Sequence, residues 1–448
     1  MISSPTLEAI ARCRVGVLGY GREGRSVVRA LQERSPDADL TVLVESGELP
    51  QDLPAHSGAF DERLQAFDVL LRSPGVPVDH PALVDYRAQG GQVINPGSIW
   101  FAERADLPVI GVTGSKGKST TASLVAHLLQ SLGREVLLAG NIGVPLLDHL
   151  DTVAEWVVLE MSSYQLADIE GRLALGIMTR LFPEHLDWHG SMAHYVSCKL
   201  RMARLLQGGP LLVNGNDPLL MEATDAIAGR VTGNRAPCVE RRDNALFLGE
   251  KQLAETADLR LIGRHNLDNM ALAVQGCILM GFPLDELVPA LASFQPLPHR
   301  LEPVAETGGV RWINDSIATS PYATLAALEA VGSSPVTLIA GGMARPADWA
   351  EVIEWCRQHE LQALVTLPDN GVDIASAFDA ALGSRDVPVR AAADIESAVQ
   401  LAQELGRPGS IVLLSPGAPS FPHFRDFEER GRRFAAAARL LEFPIRDS

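Results

Sequence analysis

A glycine-rich loop between a strand and a helix is the feature that most constrains this chain. Residues 109–125 read VIGVTGSKGKSTTASLV, in which an apolar run is followed by two loop glycines and then by a helical pattern. Glycine lets the backbone turn tightly and direct several N–H groups at phosphate oxygens. The N-terminus of the following helix adds its positive end. The stretch therefore predicts a phosphate-binding loop in an α/β domain.

Lysine is rare in the chain, and two of its four lysines lie in this loop. The 448 residues include only Lys116, Lys118, Lys199 and Lys251, and arginine supplies the other basic side chains. Lys118 can reach the outer phosphates of a nucleotide, and Ser119 can ligate Mg²⁺. The strict pattern has glycine at position 112, where this chain has valine, so the loop is a variant. The alternative is a glycine-rich turn with a chance lysine.

Strand-like and helical patterns alternate along the whole chain, which predicts parallel sheets with crossover helices. RVGVLGYGREG opens a first set, LPVIGVTG a second and LPHRLEPVAE a third. We predict an α/β protein of three domains, at residues 1–100, 101–297 and 298–448. The first and third are predicted to be Rossmann-like, and the central one to be a phosphate-loop, nucleotide-binding domain with a mostly parallel sheet.

Composition excludes several classes of protein. No apolar run reaches the roughly 18 residues of a membrane span, and MISSPTLEAIARCRV lacks a signal-peptide pattern. The net charge of −17 disfavours a nucleic-acid surface. The five scattered cysteines have no paired spacing, which fits a reducing compartment and argues against a zinc site. We expect a cytoplasmic protein with no nucleic-acid partner and no membrane insertion.

A second glycine motif, GYGREG, follows the first predicted strand. Its glycines are Gly19, Gly21 and Gly24. With Glu45 at the end of the next strand, the motif resembles a dinucleotide fingerprint. A diphosphate ligand fits it as well as NAD does, and a merely tight turn is the simple alternative. Ser73 and Gly75, in RSPGVP after the third strand, would complete a pocket at the strand C-termini.

Three further residues indicate a metal–phosphate site. Glu160 ends a buried strand, where a carboxylate is costly unless it is paired or bound to metal. His185 and then Lys199, on a predicted helix, follow it. Each alone is more often structural, but together they follow a phosphate loop. The Lys199 amine can also react with CO₂ to form a carbamate, an anion able to hold Mg²⁺, which arginine does not do readily.

At this point the chain resembles the muramyl peptide ligases of bacterial cell-wall synthesis, with folylpolyglutamate synthase as a more distant relative. The motifs span nearly the whole chain in the family's order. They are GVTGSKGKSTT, AGNIGVP, LEMSSYQL, EHLDWH, GRHNLDNMALA, PHRLE, NDSIATSP and LSPGAPSFPHFRDFEERG. The last motif and SPG are most similar to members that add glutamate to UDP-N-acetylmuramoyl-L-alanine. The resemblance implies UDP-binding, ATPase and C-terminal domains, an acyl-phosphate mechanism and a monomer.

The resemblance also implies roles for individual residues. The UDP-linked substrate would contact Gly21, Arg22, Glu23, Glu45, Ser73, Gly75 and Asn141. ATP would contact Gly114, Ser115, Lys116, Gly117, Lys118, Ser119, Thr120, Asn266, Asn269, Arg300 and Asp315. The catalytic residues would be Lys118, Glu160, His185 and Lys199. Mg²⁺ would be held by Ser119, Glu160, His185 and carbamylated Lys199. The incoming amino acid would face Thr319, Arg345, Ser420 and Phe427.

Departures from the family pattern gather around the amino-acid pocket. Ile317 stands where glutamate-adding members usually have lysine. Met343 replaces an acid, and Arg345 replaces the lysine that grips the side-chain carboxylate. Pro422 stands where a polar residue is common. Since the family includes a subclass that adds L-glutamate, these changes favour L-glutamate, with D-glutamate as the alternative.

Three competing interpretations follow from the same sequence. Another ligase of the superfamily would keep the ATP half and use a different amino acid or acceptor. An NAD-dependent dehydrogenase with a vestigial phosphate loop has only GYGREG in its favour. A non-catalytic nucleotide-binding regulator would have no use for Glu160, His185 and Lys199.

Overall fold

The computed structural model has the predicted α/β architecture with mostly parallel sheets. It describes residues 2, 4–142, 144–255, 259–261, 263–332, 334–345, 347–382 and 387–441. Within these ranges, no helix combines the length and the apolar character that crossing a bilayer requires.

The first sheet is parallel, and its described strands follow the order β3-β2-β1-β4-β5. These strands are β1 (Val15–Leu18), β2 (Leu40–Val44), β3 (Ala55–Ser57), β4 (Val69–Arg72) and β5 (Gln92–Ile94). Its helices are α1 (Leu7–Ala11), α2 (Arg22–Arg34), α3 (Pro81–Ala88) and α4 (Pro96–Glu103), with a 3-10 helix at Glu62–Ala66. The strand order reverses between β1 and β4, which places the turns after both strands beside each other.

The second sheet is also parallel, with its described strands in the order β11-β10-β9-β6-β8-β7. They are β6 (Val109–Thr113), β7 (Val136–Gly140), β8 (Trp156–Glu160), β9 (Leu175–Met178), β10 (Leu211–Asn214) and β11 (Arg230–Gly233). The helices between them are α5 (Lys118–Ser131), α6 (Ser163–Leu166), α7 (Leu186–His189), α8 (Met192–Leu200), α9 (Met202–Leu205) and α10 (Pro218–Ala223), with a 3-10 helix at Leu146–His149. All five residues of β6 are buried, as expected for a central parallel strand covered on both faces.

A small antiparallel sheet follows, formed by β12 (Glu240–Arg242), β13 (Ala245–Leu248) and β14 (Lys251–Glu255). Two helices come after it, α11 (Arg264–Leu279) and α12 (Leu284–Leu291). The sequence interpretation did not predict this sheet, because its strands are only partly buried and carry a weak apolar pattern.

The C-terminal sheet has its described strands in the order β15-β16-β20-β17-β18-β19. They are β15 (Glu302–Thr307), β16 (Val310–Asn314), β17 (Val336–Gly342), β18 (Leu361–Asp369), β19 (Val389–Ala391) and β20 (Ile411–Leu414). Its helices are α13 (Pro321–Val331), α14 (Ala350–Gln358), α15 (Gly371–Leu382), α16 (Ile395–Leu405) and α17 (Phe427–Arg439). Only β15 runs antiparallel to its neighbour among these pairs. The strands β17 (VTLIAGG), β18 (LQALVTLPD) and β20 (IVLL) belong to the third predicted set of strands and helices.

The chain divides into two compact units. The first comprises Met1–Asp258 and Leu267–Ser293, and the second comprises Leu259–Asn266 and Phe294–Ser448. The predicted boundary near residue 100 falls inside the first unit, between the strands of its two parallel sheets. The three-domain boundaries therefore stay predictions.

Candidate active site

The glycine loop lies where the strand order of the second sheet reverses. β6 is flanked by β8 and β9, and the chain leaves β6 through α5 to reach β7 at the edge. Such a reversal opens a crevice at the carboxyl ends of the strands, where α/β proteins bind ligands. Residues 114–117 span this crevice and lead directly into the first turn of α5.

Glycine is required at both ends of the loop. Gly114 has φ +150°, and a Cβ there would lie 2.1 Å from Thr179 Oγ1. Gly117 has φ +86°, and a Cβ there would lie 2.5 Å from Asn269 Oδ1. Since side chains are excluded at both positions, the loop backbone can come close to its neighbours and to a ligand.

The Ser115 side chain holds the loop in shape. Its hydroxyl lies 2.7 Å from Tyr195 Oη and 2.9 Å from both the backbone N and the backbone O of Phe182. Ser115 and Tyr195 are both buried. These bonds occupy the hydroxyl, and the Ser115 backbone N–H donates to the Arg180 carbonyl. Ser115 therefore shapes the loop rather than offering a hydrogen-bond donor to a phosphate.

The two lysines of the loop have different surroundings. Lys118 Nζ donates to the Ser115 carbonyl at 2.9 Å, so its amine lies over the loop. Lys116 Nζ lies 3.2 Å from Glu184 Oε1 and is partly exposed. Ser119 and Thr120 follow Lys118 in the first turn of α5, where backbone N–H groups have no intrahelical partner. A nucleotide phosphate would find both the amine and the helix N-terminus here.

Glu160 is a buried carboxylate with one unsatisfied oxygen. The residue is 1% exposed at the end of β8, beside the end of β6. Its Oε1 accepts a hydrogen bond from Asn141 Nδ2 at 2.8 Å, whereas Oε2 has no hydrogen-bond partner among the described residues. A buried carboxylate oxygen without a donor is costly unless a cation neutralises it. Glu160 is therefore suited to hold a divalent metal, with Asn141 fixing its orientation.

Lys199 reaches the phosphate loop from α8. Its amine is 2% exposed and donates to the Gly114 carbonyl at 2.7 Å, with Thr113 Oγ1 at 3.5 Å. Burial, reinforced by the nearby charge of Lys118, holds the pKa of Lys199 well below its usual 10.5. The side chain is thus close to the loop and biased towards the neutral amine.

His185 and the two predicted asparagines lie on other segments of the chain. His185 is exposed and adopts φ +55° immediately before α7, with its ring centroid 5.1 Å from that of Tyr164. Asn266 and Asn269 lie on α11 and are each 6% exposed. Asn269 is the neighbour that excludes a side chain at Gly117.

The N-terminal glycine motif forms a second concave turn in the first unit. Gly21 caps α2 and an added Cβ there would meet nothing within 4 Å, whereas a Cβ at Gly24 would lie 2.1 Å from the Gly19 carbonyl. The turn after β4 adjoins it, because Ser73 Oγ donates to the Gly19 carbonyl at 3.0 Å. The open backbone at Gly21 leaves room for a ligand.

Charged and aromatic groups from other segments reach this turn. Arg22 is exposed at the start of α2, and Glu23 accepts a hydrogen bond from Gln165 Nε2 at 3.0 Å. Burial raises the pKa of Glu23. Glu45 Oε1 lies 3.4 Å from His80 Nε2. The Trp188 indole donates to the Gly75 carbonyl at 3.2 Å, which links this turn to the segment that carries His185.

The remaining predicted residues lie in the second unit. Asp315 follows β16 and is 6% exposed, and its carboxylate accepts from the Leu301 N–H at 3.2 Å and from Ser415 Oγ at 2.9 Å. Arg300 directly precedes Leu301. Four further positions complete the set: exposed Thr319 and Arg345, buried Ser420, and Phe427 at the start of α17.

Comparisons with known proteins identify the family. Residues 112–277 match the Mur ligase middle domain, and residues 299–417 match the Mur ligase, glutamate ligase domain. The chain is 40% identical to the UDP-N-acetylmuramoyl-L-alanine--L-glutamate ligase of Micromonospora sp., over 95% of this chain and 96% of that one. It is 38% identical to the protein of the same name from Xanthomonas oryzae pv. oryzae, over 95% and 94%. The chain belongs to the Mur ligase family.

The fold agrees with this assignment. The UDP-N-acetylmuramate-alanine ligase of Thermotoga maritima superposes with a TM-score of 0.58 at 18% identity, over 95% of this chain and 99% of that one. The resemblance stated from the sequence, the α/β fold and the prediction of a ligase are thereby confirmed. An NAD-dependent dehydrogenase and a non-catalytic regulator no longer compete with a Mur ligase.

The Mur ligase structure also contains residues that the sequence interpretation missed. Tyr195 anchors Ser115, and Thr179 Oγ1 donates to the Lys116 carbonyl at 2.6 Å. Arg72 is fully buried, and its guanidinium forms a bidentate pair with the Asp168 carboxylate at 2.5 and 2.7 Å. Arg72 is the first residue of the quoted stretch RSPGVP, but an arginine ending an apolar strand gives no signal of its partner. These contacts join segments 60 or more positions apart, which local patterns cannot predict.

Proposed function

We propose that this Mur ligase joins L-glutamate to UDP-N-acetylmuramoyl-L-alanine in peptidoglycan synthesis, with release of ADP and phosphate. The observation that carries the proposal is the 40% identity, over nearly the full length of both chains, to a relative named for that reaction. The chemistry is that of an ATP-dependent amide bond. The substrate carboxylate attacks the γ-phosphorus of ATP and ADP leaves. The glutamate amine then attacks the acyl phosphate, the amide C–N bond forms and phosphate leaves.

Within this proposal, the phosphate loop holds ATP. The loop offers the Lys118 amine and the N-terminal backbone N–H groups of α5. These groups can bind the phosphates and stabilise the charge that builds on the transferring phosphoryl group. Asn266, Asn269, Arg300 and Asp315 are proposed to complete the ATP contacts.

Mg²⁺ is the metal that the oxygen donors of the proposed set fit, and His185 is its one nitrogen donor. Mg²⁺ takes oxygen ligands, commonly one or two carboxylates together with substrate phosphates. Glu160 provides a buried carboxylate with an unsatisfied Oε2, and Ser119 and His185 are the other proposed ligands. A bound divalent cation would neutralise phosphate charge and orient the γ-phosphoryl group.

We propose a carbamate on Lys199 as a further magnesium ligand. Burial lowers the pKa of this amine, so its neutral form is more abundant at neutral pH than that of an exposed lysine. Only the neutral amine has the lone pair that attacks CO₂. The attack forms the N–C bond, and the nitrogen loses a proton to give the carbamate anion. The two carbamate oxygens would give α8 the hard ligand that a neutral amine cannot provide.

The two substrates are proposed to occupy separate parts of the chain. We propose that the UDP-linked substrate binds at the open backbone of Gly21. Its other proposed contacts are Arg22, Glu23, Glu45, Ser73, Gly75 and Asn141. Thr319, Arg345, Ser420 and Phe427 are proposed for the amino acid. The three-domain boundaries at 100 and 297, a monomeric state and a cytoplasmic location belong to the same proposal.

The stereochemistry of glutamate gives the direct test. Purified protein with ATP, Mg²⁺ and UDP-N-acetylmuramoyl-L-alanine is mixed separately with L- and D-glutamate, and phosphate release and the UDP-linked product are measured. We expect a higher kcat/KM for L-glutamate. A preference for D-glutamate would overturn the proposal that L-glutamate is the substrate but not the proposal that the protein is a glutamate ligase. Absence of product with either enantiomer would point to a different amino acid or acceptor.

A further inference from the structure

Three soft or borderline metal ligands converge beside the phosphate loop. One ring nitrogen each of His189 and His194 and the sulfur of Cys198 lie within 4.8 Å of one another. His189 and Cys198 are each 3% exposed, and His194 is partly buried. None of the three belongs to the proposed magnesium or substrate sites.

The hydrogen bonds around the histidines leave nitrogen lone pairs for a ligand. His194 Nδ1 lies 3.0 Å from the His189 carbonyl, which can only accept, so Nδ1 carries the proton and Nε2 is the available ligand atom. His189 Nε2 bonds to Ser163 Oγ at 2.9 Å, and its buried Nδ1 has no hydrogen-bond partner among the described residues. Metal-binding histidines typically use their second nitrogen in this way, bonded to an oxygen that fixes the ring.

Cysteine binds a metal ion as the thiolate. A metal that binds there must therefore displace the proton of the Cys198 thiol, which makes its affinity rise with pH.

The three ligand atoms need to move only slightly closer together to bind one zinc ion. Around tetrahedral zinc, with bonds of about 2.0–2.3 Å, ligand atoms lie roughly 3.4 Å apart. The observed limit of 4.8 Å is within about 1.5 Å of that separation. The pair at positions 194 and 198 is also four residues apart on α8, so both side chains lie on one face of the helix.

The cysteine spacing argued against a zinc site, but the folded chain brings two histidines to one of those cysteines. We propose that His189, His194 and Cys198 form a binding site for a borderline divalent transition metal such as Zn²⁺. Imidazole and thiolate ligands favour Zn²⁺, whereas Mg²⁺ takes oxygen ligands. Three protein ligands leave a fourth position for water. Two of the proposed ligands lie on α8, which also carries Lys199. Tyr195 on the same helix forms a hydrogen bond with the loop residue Ser115.

The test is metal binding to the full chain without an affinity tag. Protein treated with a chelator is titrated with Zn²⁺ against a competing indicator, in excess Mg²⁺, and then with Co²⁺ to record visible bands and thiolate-to-cobalt charge transfer. We expect one ion per chain and a cobalt spectrum with a thiolate band. His194→Ala and Cys198→Ala should each weaken zinc binding by at least about tenfold, and Cys198→Ala should remove the thiolate band.

Two variants are the matched controls. Cys238→Ala changes a buried cysteine outside the cluster, and His359→Gln changes an exposed histidine of the second unit. Neither should change the zinc affinity or the cobalt spectrum. Circular dichroism and the thermal unfolding midpoint establish that each variant is folded. Zinc affinity and a thiolate band that persist in folded Cys198→Ala would overturn the proposal. So would the absence of stoichiometric zinc binding by the wild-type chain.

Discussion

Lys118 is the residue on which the proposed ATP site most directly depends. Its amine lies over the loop and donates to the Ser115 carbonyl, where it can reach a bound phosphate. Lys118→Ala should therefore lower phosphate release at least about a hundredfold, since one charged contact to a phosphate contributes roughly 1.5–3 kcal/mol and more at the transition state. Binding of the UDP-linked substrate, measured by calorimetry, should be retained.

Lys251→Ala is the matched control for this change. Lys251 is largely exposed and paired with Asp285 at 3.0 Å, away from the loop. Its removal should leave both measurements unchanged. Wild-type phosphate release by Lys118→Ala would contradict the assignment of the loop.

We expect a different result for Lys199, because this residue is proposed to be carbamylated. Lys199→Ala should be nearly inactive, and short carboxylic acids should restore part of the activity by supplying the missing carboxylate oxygens. Lys118→Ala should not respond to the same acids, since its role is that of a cation. Full activity of Lys199→Ala without added acid, or equal rescue of both variants, would contradict the carbamate.

The carbamate also predicts the sign of a pH effect. The pKa of Lys199 is lowered, so the neutral amine predominates above that lowered value and is lost as the pH falls through it. Carbamate formation, and with it activity, should decrease on the acidic side. Added CO₂ should then raise activity at a fixed acidic pH in the wild-type protein and not in Lys199→Ala rescued by acid.

At the scale of elements, an ion pair between Arg72 and Asp168 joins the first sheet to the segment after α6, which packs with the second sheet. Arg72, the last residue of β4, pairs with Asp168, which follows α6, and also donates to the Tyr164 carbonyl at 3.1 Å. Asn95 Nδ2 donates to the same carboxylate at 2.7 Å. The Arg72 side chain is fully buried and that of Asp168 is 17% exposed, so removing Arg72 leaves a carboxylate that water reaches only in part. The orientation of the turn at Ser73 and Gly75 therefore depends on this pair.

Arg72→Met should reduce the free energy of unfolding of the first unit by about 3 kcal/mol or more. The measurement is differential scanning calorimetry with resolved transitions, because a chain of several domains is not expected to unfold in one step. Adding Asp168→Asn should recover part of the loss, since the stranded charge is then removed. Arg14→Met, which breaks the exposed pair with Asp68, is the control and should cost far less. Equal effects of the two arginines would contradict the role given to Arg72.

At the scale of the whole molecule, the proposed functions divide between the two compact units. The phosphate loop and the glycine turn belong to the first unit, and Arg345 belongs to the second. Arg345→Ala should raise the glutamate KM about ten- to a hundredfold, since a hydrogen bond to a charged group contributes roughly 1.5–3 kcal/mol. The ATP KM should stay nearly unchanged.

Arg345→Lys tests the geometry of that contact. A planar guanidinium can bind a carboxylate bidentately, whereas an ammonium group cannot, so lysine should restore only part of the affinity. Arg390→Ala removes another exposed arginine of the second unit and should have no effect. A parallel rise in the KM values of ATP and glutamate in Arg345→Ala would show that the residue does not act on glutamate alone.

Much of the fold was predictable because its signals are local. The buried strand β6, the loop glycines and α5 occupy adjacent positions, and each carries its own signal in composition or backbone preference. The strands β12 to β14 gave weak signals, because only part of each is buried. The antiparallel pairing of β15 with β16 was missed for a different reason. Strand direction depends on how the connection folds back, not on the strand's own pattern.

The sequence by itself determined the alternation of strands and helices, the glycine-rich loop after β6 and the family, because these are carried by short motifs in a fixed order. Only the tertiary structure decided that Lys199 contacts Gly114, that one Glu160 oxygen lacks a donor among the described residues and that Arg72 meets Asp168. The physical reason is that burial and hydrogen-bond satisfaction depend on every segment packed around a group. A residue's type specifies its chemistry, whereas its partners come from chain segments that only the folded sheets bring together.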